Sequence, residues 1–165
     1  MLSKWLPSKT RRQTITLLAP LSGESVPISE SPDEAFAQGQ IGKGLAIRPS
    51  GGRLVAPLPG TVMHMIQTRH AVILEHESGL QILMHIGINT VALQGRGFTA
   101  RVVTGERVEA GQTLIDFDVD LIHREGYSSI TPIVIVNEEL ISGLDFRYGA
   151  VTAGESELMT IGYQR

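Results

Sequence analysis

"HAVILEHESGLQILMHIG", His70 to Gly87, decides how this chain folds. Two apolar runs flank Ser78-Gly79, and glycine readily supplies the positive φ of a tight turn, so the stretch predicts a β-hairpin. On a two-residue turn, Glu77 faces Leu80, Leu74 faces Leu83 and Val72 faces His85. Side chains alternate faces along a strand, so His70 shares the face of Val72 and becomes a diagonal neighbour of His85. Diagonal positions lie about 7–8 Å apart, close enough for two imidazoles to share one small group. A turn of odd length would shift the register by one and put them on opposite faces.

The same rhythm extends outward. From Thr14 onward the chain is a series of short apolar runs punctuated by Gly, Pro and Ser, with 18 glycines among 165 residues. The runs "TITLLAP", "GLAIRPS", "RLVAPLPG", "GTVMHMIQ", "AVILEH", "LQILMHIG", "GQTLIDFD", "PIVIVN" and "ELMTIG" predict strands, hence an all-β domain. Helix is confined to a turn or two at "SPDEAFAQ" (31–38) and "VDLIHREG" (119–126), the first with Ser31 as N-cap and Pro32 at N1. Ala19-Pro20-Leu21-Ser22-Gly23 recurs as Ala56-Pro57-Leu58-Pro59-Gly60, and "GERVEAGQTL" echoes "GAVTAGESEL" around Gly111 and Gly154. Two related half-barrels packed together would give this pattern, and chance likeness between turn-rich segments competes with it.

A chain of this length supports one core, expected over 14–165. Residues 1–13 read as a flexible, basic, weakly amphipathic tail. There Leu2, Trp5 and Leu6 beside Lys4, Lys9, Arg11 and Arg12 would give at most weak contact with an anionic membrane surface. No apolar run is long enough for a signal peptide or a span. The absence of cysteine excludes disulfides, thiolate zinc sites and a cysteine nucleophile, and fits the cytoplasm. Net charge −3, with basic residues scattered, argues against nucleic acid.

The His70/His85 pair permits restricted chemistry. Neutral imidazole attacks a phosphoryl group, and the resulting phosphohistidine passes it on. A second histidine can hydrogen-bond the phosphoryl oxygens, with a threonine hydroxyl holding its tautomer. Zinc needs three or four protein ligands, and His64, His76 and Glu75 supply no metal-binding spacing, so a zinc hydrolase is disfavoured. His64, His76 and His123 read as surface or structural residues. Gly42-Lys43-Gly44 is similar to the turn lysine of lipoyl or biotinyl carriers, on a chain about twice their usual size.

Taken together, "LLAPLSGESVPI", "SPDEAFAQGQIGKGLAIRPSGGRLVAPLPGTV", "QTRHAVILEHESGLQILMHIGINTVALQGRGF", "GERVEAGQTLIDFD" and "TPIVIVN" resemble the glucose-type enzyme IIA component of the bacterial phosphoenolpyruvate-dependent sugar phosphotransferase system. The phosphorylation signature stands here as "HIGINTV", with the second histidine in "TRHAV". The resemblance implies an antiparallel β-sandwich of the duplicated hybrid motif type and a cytoplasmic phosphocarrier. His85 would be phosphorylated on Nε2, His70 would help pass the group onward, Thr68 would orient His70, and the Gly87 carbonyl would fix the His85 tautomer. The donor would be the histidine phosphocarrier protein and the acceptor the IIB domain of a membrane sugar permease. Glycerol kinase or other permeases would be regulatory partners, and no cofactor is required. His70 and His85 would bind zinc only with a partner's carboxylate.

Phe36, Ile41, Ile66, Leu83, Ile86 and Asn89 fall on or near the docking surface the resemblance implies. Asn89 stands where aspartate is usual, Gln81, Ala92 and Arg96 replace positions often acidic, and Glu34 and Gln40 fall where aliphatic residues are common. A second hypothesis follows: a regulatory binding protein that keeps the fold and the histidines without efficient relay.

Overall fold

The computed structural model describes residues 13–164. The tail reading therefore falls on residues outside those described, except that Gln13 already belongs to the first strand. The strands are β1 (Gln13–Leu18), β2 (Gly23–Pro27), β3 (Lys43–Pro49), β4 (Arg53–Val55), β5 (Gly60–Met65), β6 (Ala71–Glu75) and β7 (Gln81–His85). They continue with β8 (Phe98–Ala100), β9 (Arg107–Val108), β10 (Thr113–Phe117), β11 (Thr131–Ile135), β12 (Ile141–Phe146), β13 (Gly149–Val151) and β14 (Glu157–Tyr163). Every strand pairing among the described residues is antiparallel. One sheet runs β13-β2-β3-β11-β7-β6-β5-β9, and two smaller ones run β1-β14-β12 and β4-β10-β8. The all-β sandwich expected from the sequence is the fold observed.

All nine predicted runs carry a strand. Five further strands, β2, β8, β9, β12 and β13, have no counterpart among them. Among the described residues the two α-helices are α1 (Glu34–Ala37) and α2 (Val119–Arg124). The α1 cap is Asp33 rather than Ser31: its carboxylate accepts from the Ala35 and Phe36 amides at 2.8 and 3.3 Å, which leaves Pro32 outside the helix. Lys43 opens β3 and pairs with Ile135, so it occupies no hairpin tip, and the carrier-lysine reading loses its geometry. Among the described residues no helix is long and apolar enough to cross a membrane.

The internal repeat has a structural counterpart. Leu18 N–H donates to the Pro57 carbonyl at 2.9 Å while Val55 N–H donates to the Pro20 carbonyl at 2.8 Å, a reciprocal cross between the two Ala-Pro-Leu copies. Gly154 N–H donates to Ala19 O and Gly111 N–H to Ala56 O, both at 2.8 Å. Val151 faces Gly23 across β13 and β2, just as Val108 faces Gly60 across β9 and β5. The order of the large sheet then reads the same from either edge, with β11 and β7 meeting at the middle.

That middle position explains β11. All five of its residues are buried, because the main core covers one face and a smaller cluster covers the other. The smaller cluster joins Val26, Phe36, Ala46, Ile88, Ile130 and Val134, with Leu83 at its margin. It pins α1 over the end of β7, and so sets Phe36 beside His85.

Candidate functional site

The hairpin at 70–87 forms, but its register differs from the expected one. Glu75 pairs with Gln81 and Ala71 with His85, so the connection is the five residues 76–80 and not a two-residue turn. His76 shapes it: its Nδ1 accepts from Ser78 N–H at 3.1 Å and meets Ser78 Oγ at 2.9 Å. Asn137 clamps it from beyond the end of β11, donating to Gly79 O at 2.7 Å and accepting from Gln81 N–H at 3.0 Å. The odd loop shifts every facing pair by one residue. By alternation alone, the two histidines would then lie on opposite faces.

They meet nonetheless, with ring centroids 4.9 Å apart and planes nearly perpendicular. The reason is that β6 begins at Ala71 and His70 lies before it, after Arg69 in the left-handed region at φ 61°. Alternation binds only residues in the ladder. His70 lies just past the last ladder pair, and its carbonyl still accepts from Ile86 N–H at 2.7 Å.

Each ring is held at Nδ1. His85 Nδ1 lies 2.8 Å from the Gly87 carbonyl, which can only accept, so Nδ1 carries the proton and Nε2 the lone pair. His70 Nδ1 lies 2.8 Å from Thr68 Oγ1. Phe36 packs on His85 with centroids 5.3 Å apart, and Phe98 lies edge-on to His70 at 6.5 Å. His70 is 5 % exposed, and burial first, then the neighbouring His85, holds its pKa down to about 4. Burial also lowers His85, opposed by the Gly87 carbonyl and the charge of Asp33. Both imidazoles are therefore neutral at pH 7. Two neutral rings, one with a free Nε2 lone pair, suit a nucleophile and a hydrogen-bonding partner.

Among the described residues no three His, Cys, Asp or Glu side chains converge as a metal site, so the histidines offer two ligands at most. His64 is exposed, His76 belongs to the hairpin connection, and His123 meets Ser129 Oγ at 2.8 Å.

The expected docking residues divide. Ile41 is exposed, Ile66 and Leu83 are half-buried, Phe36 is nearly buried against His85, and Asn89 is exposed. Ile86 is the correction: it is fully buried in the main core, since it continues the inward row of Ile82 and Met84, and offers no side chain to a partner. Val91, 53 % exposed on the 3-10 turn that follows Asn89, is an apolar surface residue that was not anticipated. Asp33 was missed too. It caps α1 and acts electrostatically on His85, and the signal was its place just before "EAFA".

The backbone at Asn89 suits an asparagine or an aspartate and does not choose between them. Its φ of 63° and ψ of 16° lie in the left-handed region, which those two tolerate better than other non-glycine residues. It lines an open cleft of about 520 Å³ with Asp33, Glu34, Ile88, Tyr127 and Ser128. Of the other departures, Arg96 is paired with Glu125 at 3.0 Å and Gln81 donates to Glu75 at 3.1 Å.

The family model for the phosphoenolpyruvate-dependent sugar phosphotransferase system, EIIA 1, matches residues 15–141. A PTS system glucose-specific EIIA component from Oceanobacillus iheyensis is 42 % identical over 148 residues, covering 89 % of this chain and 90 % of the relative. The solved structure of glucose permease IIA from Mycoplasma capricolum superposes with a TM-score of 0.83 at 29 % identity, over 90 % of this chain and 96 % of that one. On this family match, relative and fold, the chain belongs to the EIIA 1 family of the phosphoenolpyruvate-dependent sugar phosphotransferase system.

Proposed function

We propose that the protein is a phosphocarrier that takes a phosphoryl group on His85 Nε2 from the histidine phosphocarrier protein and passes it to the IIB domain of a sugar permease. The observation that carries this reading is the 2.8 Å contact from His85 Nδ1 to the Gly87 carbonyl, which leaves Nε2 as the lone-pair nitrogen. As the Nε2–P bond forms, the bond from phosphorus to the donor's imidazole nitrogen breaks, and Nδ1 keeps its proton. In the second step the nucleophile of the IIB domain attacks phosphorus and His85 leaves as neutral imidazole. Thr68 orients His70 so that its N–H meets the phosphoryl oxygens, and apolar Phe36 keeps water from the intermediate.

Docking falls to the face around the histidines, with Phe36, Ile41, Ile66, Leu83 and Asn89 from the sequence reading and Val91 from the structure. Zinc would take His70 and His85 as two of its ligands and need a partner's carboxylate to complete the set. Incubation with phosphoenolpyruvate, enzyme I and the cognate phosphocarrier is expected to leave one acid-labile phosphate on the protein. No label would overturn the relay and favour the regulatory binding protein.

Asn89 bears on partner choice. Asn89→Asp adds a carboxylate to a rim that already holds Asp33 and Glu34, without asking the backbone to leave a conformation that aspartate also visits. Association with a basic phosphocarrier is expected to quicken several-fold at low ionic strength, with a steeper salt dependence and little change in dissociation. Stopped-flow association rates at two ionic strengths check this. An unchanged rate would show that Asn89 has no part in steering.

A further inference from the structure

The segment that carries the Gly87 carbonyl is held by three clamped peptide units in succession. Ile86 N–H donates to His70 O at 2.7 Å. The next unit, between Ile86 and Gly87, is gripped at both ends by threonine hydroxyls. Thr90 Oγ1 donates a short hydrogen bond to Ile86 O, and Gly87 N–H donates to Thr131 Oγ1 at 3.4 Å. Thr131 Oγ1 in turn donates to Ser129 O at 2.9 Å. In the third unit, Gly87 O faces His85 Nδ1 at 2.8 Å while Ile88 N–H donates to Ser128 O at 3.0 Å. Thr90 and Thr131 are both 0 % exposed.

The space around Gly87 is closely filled. Gly87 has φ 73°, and a Cβ there would stand 2.6 Å from Thr90 Cγ2 and 2.9 Å from Ser128 O. The Thr90 methyl therefore closes the space beside the glycine while its hydroxyl holds the preceding carbonyl. Thr131 comes from β11, the strand paired with β7 at the centre of the large sheet. The two hydroxyls thus reach the loop from different elements, one local and one from the other half of the repeat.

We propose that Thr90 and Thr131 are positioning residues that orient the Ile86–Gly87 peptide, and through it aim the Gly87 carbonyl that fixes His85 as the Nδ1–H tautomer. Neither residue touches the reacting nitrogen. Their effect is transmitted by one peptide plane: if that plane rotates, the next carbonyl turns away from Nδ1, and the imidazole is free to carry its proton on Nε2, where it cannot attack phosphorus. For its effect on rate the inference rests on the phosphoryl-transfer reading, but its effect on the tautomer does not.

Nitrogen-15 spectra of the full chain at neutral pH read the tautomer directly. In wild type, His85 is expected to show a protonated Nδ1 and an unprotonated Nε2. Thr131→Val keeps the shape and removes the hydroxyl, and is expected to bring in the Nε2–H tautomer. It should also slow phosphoryl uptake at saturating donor by about tenfold with the half-saturating donor concentration unchanged. Thr131→Ser restores the hydroxyl and is expected to restore both readouts to within about twofold. Thr90→Val against Thr90→Ser should repeat the pattern. A folded Thr131→Val protein with the wild-type nitrogen pattern overturns the proposal. Should Thr131→Val not fold, Thr131→Ala and Thr131→Ser lose the same methyl packing, and identical tautomers in that pair overturn it equally. A wild type that takes no phosphate while its tautomer shifts in Thr131→Val removes the relay and leaves the clamp standing.

Discussion

His85→Ala is expected to reduce phosphoryl uptake to background, whereas His70→Ala is expected to take up phosphate near the normal rate and to lose donation. The asymmetry follows from how each ring is held. Uptake needs a neutral imidazole with its lone pair on Nε2, and the Gly87 carbonyl secures that without help from His70. His85→Ala removes the proposed nucleophile, and His70, buried and held by Thr68, is not expected to replace it. Donation is the step that the proposed role assigns to His70, whose N–H would balance the negative charge on the oxygens as phosphorus leaves His85. Loss of one well-placed hydrogen-bond donor to such charge typically slows the step by about 10²–10³-fold. His70→Gln retains an N–H and should recover part of the rate. Rapid-quench measurement of labelled protein, first against phosphorylated donor and then against the permease IIB domain, separates the steps. Normal donation by His70→Ala would assign His70 a purely structural place.

Much of this site was legible because its key groups are local in sequence. Thr68 lies two residues from His70 and Gly87 two residues from His85, and both contacts exist. The sequence shows the hairpin but not its register. Ser78-Gly79 is a good turn dipeptide, but the length of the connection is decided by His76 on one side and by Asn137, which joins from beyond β11. No local pattern carries that long-range contact. The histidines meet where the chain turns, just before His70, at Arg69, a residue with no sequence mark of a left-handed conformation. The burial of the expected docking residues was half legible for a related reason. Ile86 and Leu83 look alike in sequence, and only the true facing of β7 sends one into the core and the other to the margin of the smaller cluster.

The strands missed are those with weak periodicity. β8 and β9 have three and two residues, too few for alternation to register. β12, "ISGLDF", carries a glycine opposite Gly162, and its pairing slips between Ile141 and Gly143. The repeat, by contrast, was visible as two Ala-Pro-Leu copies because turns that cross at a pseudo-two-fold demand the same backbone on both sides. The reciprocal bonds from Leu18 to Pro57 and from Val55 to Pro20 are that demand made explicit.

Lowering the pH from 7 to 4 is expected to destabilise the protein by about 3 kcal/mol through His70 alone. Its ordinary pKa of 6.5 is held to about 4 in the folded chain, by burial and then by His85. Above pH 6.5 the ring is neutral in both the folded and the unfolded chain, and its contribution does not change. Between 6.5 and about 4 the unfolded chain takes up the proton and the folded chain does not, so stability falls as pH falls. Below about 4 the folded chain protonates as well, and the loss levels off. His85 is shifted in the same direction by burial and adds to the fall. Asp116, held below the usual carboxylate range by Arg101 and then Arg53, begins to add its own loss near the acid end of this window, equally in wild type and variant, so it does not blur the comparison. His70→Gln removes the titrating group while keeping a polar side chain beside Thr68. Urea unfolding at pH 7, 5.5 and 4.5 should therefore give nearly parallel curves for wild type and variant near pH 7, then a gap that widens with acid in favour of the variant's relative stability. An equal slope in both proteins would mean that the His70 ring protonates freely in the folded state, and that burial does not keep this site neutral.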